Sequence, residues 1–305
     1  MYTVTTFYQF SDLSVSDIES VTTDLYALAQ TSSLCGLVIV GHEGVNATVA
    51  GDAQTIVALK KLVRAFPGCS DILFKDSFAH ERPFRRFKVK ERNEIVTLQA
   101  PEIVPHGPCG HLSPTEWNEV LDSEDVVLLD TRNTYETRVG MFENAVDPNI
   151  GMFSEFKDYV AQSGIPKEKK VLMYCTGGIR CEKAALEMRK QGYENVFQLD
   201  GGILNYLAQY PHKKFAGECF VFDHRVAVDQ ELKPSEKYTL CPHCGNPGAC
   251  KISCKVCSTD EVVCQGCLDA DPAYETCSKN CEHHFRRGSK ASRKQITNSH
   301  AQLMR

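Results

Sequence analysis

Cys175 ends the run Val171-Leu172-Met173-Tyr174 and is followed by Thr176, Gly177, Gly178, Ile179, Arg180 and a second thiol, Cys181. Four large apolar residues in a row predict a buried parallel strand. The two glycines allow a loop whose backbone N–H groups turn inward. From Glu182 the segment EKAALEMRKQG predicts a helix that Gly192 stops. A thiol held there faces backbone donors, the positive end of a helix and the Arg180 guanidinium, and all three favour thiolate. A free cysteine with a pKa of about 8.5 is only a few per cent ionised at neutral pH, and lowering it by about two units makes it mostly thiolate. Cys175 is therefore the candidate nucleophile, Arg180 the candidate anion stabiliser and Cys181 a candidate resolving or redox partner, with Thr176, Gly177 and Gly178 forming the supporting loop. A purely structural cysteine leaves the Gly-Gly-x-Arg that follows it unexplained.

A thiolate, loop amides and an arginine also suit an oxyanion, so a phosphatase loop is one alternative. Five steps separate Cys175 from Arg180, as in those loops, but Cys181 stands where they usually carry a hydroxyl. The segment resembles more closely the rhodanese loop, whose thiolate accepts a sulfane sulfur as a persulfide. LLDTRNTYE (128–136) resembles the strand-end Asp-x-Arg and following Glu of rhodaneses, with Asp130 and Arg132 bracing loops rather than performing chemistry. LDGGILNYL (199–207) is similar to the closing strand and Gly-Gly-initiated helix of that fold. The resemblance implies an α/β domain with a parallel sheet from about Pro114 to Phe215.

The 305 residues leave room for two or three domains. No run approaches the length of a membrane span, and the N-terminal MYTVTTFYQFSDLSV lacks the regions of a signal peptide, so a soluble, cytoplasmic chain is expected. Of the 15 cysteines, nine lie between 241 and 281 and only three in the first 170 residues. That distribution fits a reduced compartment and one metal or redox module better than a disulfide scaffold. The module is placed at 217–285. Its Cys241-x2-Cys244, Cys254-x2-Cys257 and Cys264-x2-Cys267 pairs have the chelate spacing of tetrahedral Zn²⁺. Few large apolar residues lie between them, so structural zinc is preferred over redox relay or local disulfides. Cys241, Cys244, Cys264 and Cys267 make the cleanest site, although Cys250, Cys277, Cys281, His243, His283 and His284 leave the pairing open.

Residues 1–98 predict a β-α-β-β-α-β unit of ferredoxin-like or acylphosphatase-like type. Its strands are 3–10, 36–40, 45–50 and 72–77, and its helices 17–30 and 54–66. His42 and Glu43 fall in the hairpin turn and are expected to be exposed polar residues. The following HERPFRRFKVKER (80–92) holds six Arg or Lys against two Glu. As a strand it would present Arg82, Arg85, Arg86, Lys88 and Lys90 to a phosphate backbone, leaving Phe84 or Phe87 free to stack on a base. A solvated, aggregation-resistant sheet edge is the competing reading. Residues 286–305 add Arg286, Arg287, Lys290, Arg293, Lys294 and Arg305 with no acidic residue, the composition of a disordered basic tail. On a chain of net charge −5, two basic segments suggest a local patch for an anionic partner.

GHEGVNATVAG (41–51), ERPFRRFKVKERNEIVTL (81–98), CTGGIRCEKA (175–184), GGILNYL (201–207), GECFVFDHRVAV (217–228) and the cysteine-rich end together resemble the bacterial rhodanese-domain tRNA uridine hydroxylase family. The resemblance implies oxygen-dependent 5-hydroxylation of the wobble uridine of tRNA, with molecular oxygen as co-substrate and Cys175 at the position of the family's active-site cysteine. The alternatives are a sulfurtransferase passing persulfide sulfur from Cys175 to an acceptor, and a zinc-stabilised RNA-binding adaptor. No flavin, NAD or iron site is evident, since neither G-x-G-x-x-G nor a two-His-one-carboxylate arrangement appears. Nothing in the sequence points to an obligate protein partner.

Overall fold

The computed structural model describes residues 1–107 and 110–288. They divide into two compact units at the Ser235–Glu236 junction.

The first unit opens with β1 (Tyr2–Phe10), α1 (Val15–Gln30), β2 (Cys35–Gly41), β3 (Gly44–Gly51), α2 (Ala53–Arg64), β4 (Lys75–Ala79) and β5 (Phe87–Glu91). Their sheet has the order β4-β1-β3-β2-β5, antiparallel except for the β2–β5 pair. Alternation along the strands sends Phe7, Val38, Val40, Val45, Ala47 and Val49 into a core with Ile18, Val21 and Leu25 of α1 and Ile56, Leu59 and Val63 of α2. The opposite face carries Thr6, Tyr8, Leu37, Ile39, Asn46 and Thr48, which line a pocket rather than a helix interface. Ser14 and Asp17 form a capping box on α1, and Asp52 caps α2 through Thr55 N–H.

Two sequence expectations shift here. The strand placed at 72–77 runs instead over Lys75–Ala79, because Ile72 turns into the helix-side core and pairing with β1 starts at Thr6–Lys75. In the basic segment only Phe87–Glu91 is strand. Phe87 meets Tyr26 edge-on at 5.6 Å and packs on the helix-side core, whereas Phe84, half-buried against Val4, Cys35, Ala50 and Ala79, also lines the pocket on the other face of the sheet. Arg82, Arg85, Arg86 and Lys90 are exposed and Lys88 is half-buried.

The second half of the unit contains β6 (His111–Leu112), α3 (Pro114–Ser123), β7 (Val127–Asp130), α4 (Thr134–Thr137), β8 (Gly140–Phe142), α5 (Phe156–Gln162), β9 (Val171–Tyr174), α6 (Ile179–Lys190), β10 (Val196–Leu199) and α7 (Gly202–Gln209). Strands β6-β10-β9-β7 form a parallel sheet. Leu172 and Tyr174 face α3 and α7, while Val171, Met173 and Cys175 face α5 and α6. Both faces are covered, which is why the strand reads as an unbroken apolar run. Helix α6 starts at Ile179 rather than Glu182, placing Arg180 and Cys181 in its first turn.

Residues 217–235, the start of the module expected at 217–285, pack by their contacts with this first unit. Strand β11 (Phe215–Gly217) pairs with β8, and β12 (Cys219–Phe220) with β13 (Ala227–Val228). The buried Arg225 forks onto Asp223 and reaches Ser77 Oγ of β4 at 2.8 Å.

The second unit contains the hairpins β14 (Thr239–Leu240) with β15 (Pro247–Gly248) and β16 (Cys250–Ser253) with β17 (Asp260–Val263), then α8 (Gln265–Ala270). Residues 279–288 are helical. Arg286 pairs with Asp271 and Glu282, whereas Lys290, Arg293, Lys294 and Arg305 lie outside the described residues. Among the described residues no helix is long and apolar enough to cross a membrane.

Candidate functional site

Cys175 lies at the C-terminal end of β9, and Gly178 N–H donates to its Sγ at 3.1 Å. The loop takes this shape because Gly178 adopts φ +103° and because Gly202 of α7 presses against it. A Cβ on Gly202 would sit 2.4 Å from the Cys175 carbonyl and 2.8 Å from Gly178 N. The first turn of α6 adds the Cys181 thiol and Arg180. Burial alone would push the Cys175 thiol up. The Cys181 thiol, the Arg180 charge and the N–H groups of Arg180 and Gly178 outweigh it, lowering Cys175 to about 5. Cys181 moves the opposite way, well above the ordinary thiol range, through burial and the thiolate beside it, and its Sγ is 3.5 Å from Thr131 Oγ1. One negative charge is thus held on Cys175 with one proton on Cys181.

Arg180 is not free to grip a ligand with its fork. Both Nη atoms engage the buried Glu136 carboxylate of α4, at 2.6 and 2.7 Å, and Thr176 Oγ1 donates to the same carboxylate at 3.3 Å. Asp130 and Arg132 form a fully buried pair at the end of β7, and Arg132 also donates to the Gly140 carbonyl at 2.6 Å.

Above the thiolate is a pocket of ≈ 550 Å³. One wall is the loop from Cys175 to Arg180, and the other is the face of the N-terminal sheet that carries Thr6, Tyr8, Asn46 and Thr48 among Leu37 and Ile39. Glu94, Ile95, Val96 and Thr97, Asn133, Met152 and Phe222 close its sides. Met152 and Phe222 are the exposed apolar groups of this lining, and the Phe222 ring lies 5.8 Å from the Arg180 guanidinium. Among the described residues the Asn133 Oδ1 acceptor is buried without a hydrogen-bond partner. Of the five basic residues read as an anion-binding strand, none lines the pocket; the neighbouring Arg92 does.

Several polar groups that sequence reading passed over join the two halves of the unit. Lys183 of α6, fully buried, lies 2.8 Å from both Glu43 and Glu94. Glu43 is thus not the exposed turn residue expected: its other oxygen accepts Ile95 N–H at 2.6 Å. His42 beside it is exposed as expected. On the far side of the loop Lys75 Nζ donates to the Gly177 carbonyl at 2.9 Å, and Tyr8 OH donates to Glu182 at 2.9 Å. Burial lowers Lys75 to about 8 and raises Tyr8 well above its ordinary value. Asp200 and Glu182 together raise His111 to about 9. These partners are separated by up to 174 positions along the chain, so no local motif announces them.

In the second unit Cys241, Cys244, Cys264 and Cys267 bring their Sγ atoms within 4.8 Å of one another. A second group, Cys254, Cys257, Cys277 and Cys281, does the same; its spacing was legible but its pairing was not. The Cys244–Cys264, Cys257–Cys277, Cys277–Cys281 and Cys281–Cys257 separations are 3.4, 3.5, 3.6 and 3.8 Å. A tetrahedron of thiolates around Zn²⁺ at about 2.3 Å has edges of about 3.8 Å, so both groups fit that ion. None of His243, His283 and His284 belongs to either group, and His243 instead binds the Thr276 carbonyl.

Sequence comparison matches residues 2–95 to the UPF0176 acylphosphatase like domain, 113–209 to the Rhodanese-like domain and 216–282 to the Rhodanase C-terminal domain. A protein of Bdellovibrio bacteriovorus named tRNA uridine(34) hydroxylase is 50% identical over 95% of this chain and 84% of its own length. Proteins of the same name from a Picosynechococcus species and Rhizobium leguminosarum are each 40% identical over 88% of this chain, covering 91% and 87% of their lengths.

Proposed function

This chain belongs to the tRNA uridine(34) hydroxylase family, and from that premise we propose that it hydroxylates C5 of the wobble uridine of tRNA, with Cys175 as nucleophile and molecular oxygen as co-substrate. The observation that carries the reading is a stabilised thiolate on the floor of a ≈ 550 Å³ pocket whose opposite wall sets Asn46 and Thr48 beside Leu37 and Ile39, apolar surface for a base with polar groups for its edge.

Uridine C5 is a poor nucleophile until C6 is attacked. Addition of the Cys175 thiolate forms an S–C6 bond and moves an electron pair onto C5 and O4 as an enolate. C5 then takes one oxygen atom from O₂. The other leaves as water, using two protons and two electrons from a pair of thiols, neither of them Cys175, that ends as a disulfide. Loss of the C5 proton expels the thiolate from C6 and restores the ring. Cys181, with its proton already directed at Cys175, is the redox partner nearest the site. Glu136 occupies the Arg180 fork, so Arg180 acts through its charge on the thiolate, and the loop amides are left to meet developing negative charge. Asn46, Thr48 and the unpartnered Asn133 Oδ1 are the groups we assign to the edge of the base.

Arg82, Arg85, Arg86, Lys88 and Lys90 hold phosphates of the tRNA body in this reading, which places the enzyme with its substrate in the cytoplasm. Both four-thiol groups hold structural Zn²⁺. Each is complete with four sulfurs, so no position is left open for catalysis.

The test is nucleoside mass spectrometry of tRNA from a deletion strain. Species derived from 5-hydroxyuridine should disappear and return with the intact gene but not with Cys175→Ser. Unchanged levels in the deletion would overturn hydroxylation. Loss of a thiolated nucleoside with thiosulfate:cyanide turnover would assign the same thiolate to sulfur transfer.

A further inference from the structure

The nucleophile loop owes its shape to three outward-held carbonyls. The Cys175 carbonyl accepts Ile203 N–H at 3.0 Å and the Thr176 carbonyl accepts Leu204 N–H at 3.1 Å, both from the start of α7. The third, Gly177, accepts from Lys75 Nζ at 2.9 Å. Lys75 comes from β4 of the N-terminal sheet, 102 positions away, and is nine-tenths buried. A peptide unit is planar with its C=O and N–H antiparallel, so holding the Gly177 oxygen on one side aims the Gly178 N–H at the other. That N–H is the one that donates to Cys175 Sγ at 3.1 Å.

We propose that Lys75 is a positioning residue for the nucleophile. By fixing the Gly177–Gly178 peptide it keeps the Gly178 N–H on the thiolate, so a residue of the N-terminal domain sets the reactivity of the rhodanese-loop cysteine. Glycine at 177 and 178 makes the peptide free to rotate, and a free peptide needs a clamp. The two α7 donors hold the preceding carbonyls but do not reach this one. Lys75 is itself held in place by the Tyr8 ring, 4.7 Å below its ammonium. The proposal deepens the reading of Cys175 as nucleophile and rests on it.

The titratable groups facing Cys175 include Arg180 and Cys181 from α6, Lys75 from β4, Tyr8 from β1 and Cys219 from β12, with Glu182 and Asp200 around Lys75. Removing Lys75 thus withdraws both a positive charge and a peptide clamp, and two variants separate the effects. Lys75→Met removes both; Lys75→Gln keeps a donor for the Gly177 carbonyl without the charge. The readout is the pH dependence of iodoacetamide labelling of Cys175 in the full chain. Trypsin releases residues 171–180 as a peptide in which Cys175 is the one cysteine, so mass spectrometry reads it apart from the other fourteen. Losing a donor to a charged acceptor should raise the labelling midpoint of Lys75→Met by about one to two pH units, with Lys75→Gln falling between it and wild type.

A wild-type midpoint in Lys75→Met overturns the proposal. If that variant fails to fold, Lys75→Gln decides. With Lys75→Gln alone, a partial upward shift supports the proposal and an unshifted midpoint overturns it, since a lysine with no hold on the loop would give the same result. A Lys75→Gln midpoint raised as far as the clamp-free estimate refutes the clamp. Labelling requires no tRNA, so shifted midpoints with no hydroxylation would sink the proposed activity and leave the positioning role standing.

Discussion

Lys183→Met is the sharpest test of how the N-terminal domain is fastened to the active-site helix. The ammonium is fully buried, 2.8 Å from Glu43 of the β2–β3 turn and 2.8 Å from Glu94 of the segment leading out of the N-terminal sheet. At an effective dielectric of about 20, each contact carries a gross attraction of roughly 6 kcal/mol, most of it offset by the cost of burying the charges. Methionine fills the volume but leaves two carboxylates facing each other. Breaking a buried pair by removing one partner costs about 3–5 kcal/mol. For a unit of this size that lowers the melting temperature by roughly 6–20 °C. The assay is thermal unfolding followed by fluorescence of Trp117, the sole tryptophan, buried against Phe142 and Tyr174. Adding Glu43→Gln and Glu94→Gln to Lys183→Met removes the orphaned charges. The Glu43→Gln oxygen can still accept Ile95 N–H, and the Glu94→Gln oxygen can keep one of the Leu98 and Gln99 N–H groups that the two carboxylate oxygens now satisfy. The triple variant should regain part of the loss. A wild-type melt for Lys183→Met, or a triple variant no better than the single, would refute the reasoning.

Cys181→Ala withdraws the thiol proton directed at Cys175 and should raise the labelling midpoint of Cys175, whereas Cys181→Ser keeps a donor and should raise it less; equal midpoints would exclude that interaction. The folded thiolate stabilises the protein fully above the unfolded thiol value of 9.0, and this contribution is lost as pH falls toward about 5, so Cys181→Ala should flatten the pH dependence of stability over that window. Charge reversal at Arg85 and Arg86 should weaken tRNA binding and lower the steepness of its salt dependence, measured by filter binding across a salt series; unchanged binding would return the strand to a solvated edge. Metal analysis of protein purified under reducing conditions should give two zinc ions per chain, and chelation should expose the 236–288 unit to protease; a zinc content near zero would reject both sites.

The parts of the site legible in sequence are those whose partners are close along the chain. Cys175, its glycines, Arg180 and Cys181 lie within seven residues, and the Asp130–Arg132 pair within three. A strand buried on both faces announces itself as an apolar run. The Lys75, Tyr8–Glu182 and Lys183–Glu43 contacts had no such signal, because each joins a surface-type residue of one domain to a distant one of the other. Glu43 shows the difficulty: a glutamate between two glycines in a hairpin turn has the composition of an exposed loop, and only docking of α6 buries it. The basic segment differs. Arg82, Arg85, Arg86 and Lys90 are exposed and Lys88 is half-buried, while the core neighbours of Phe87 and the place of Phe84 beside the pocket are long-range contacts that no local pattern reveals.

The two four-thiol groups interleave along the chain. The first draws its sulfurs from 241/244 and 264/267, the second from 254/257 and 277/281. Neither group is complete until the chain has passed through one half of the other. During synthesis, therefore, the first site cannot close before Cys267 has emerged, and the pair cannot close before Cys281. The two loops are linked like crossed laces. Emptying one site frees a segment that carries ligands of the other within its span, so the ions should be gained and lost together, and the module should behave as a single all-or-none fold rather than two independent fingers.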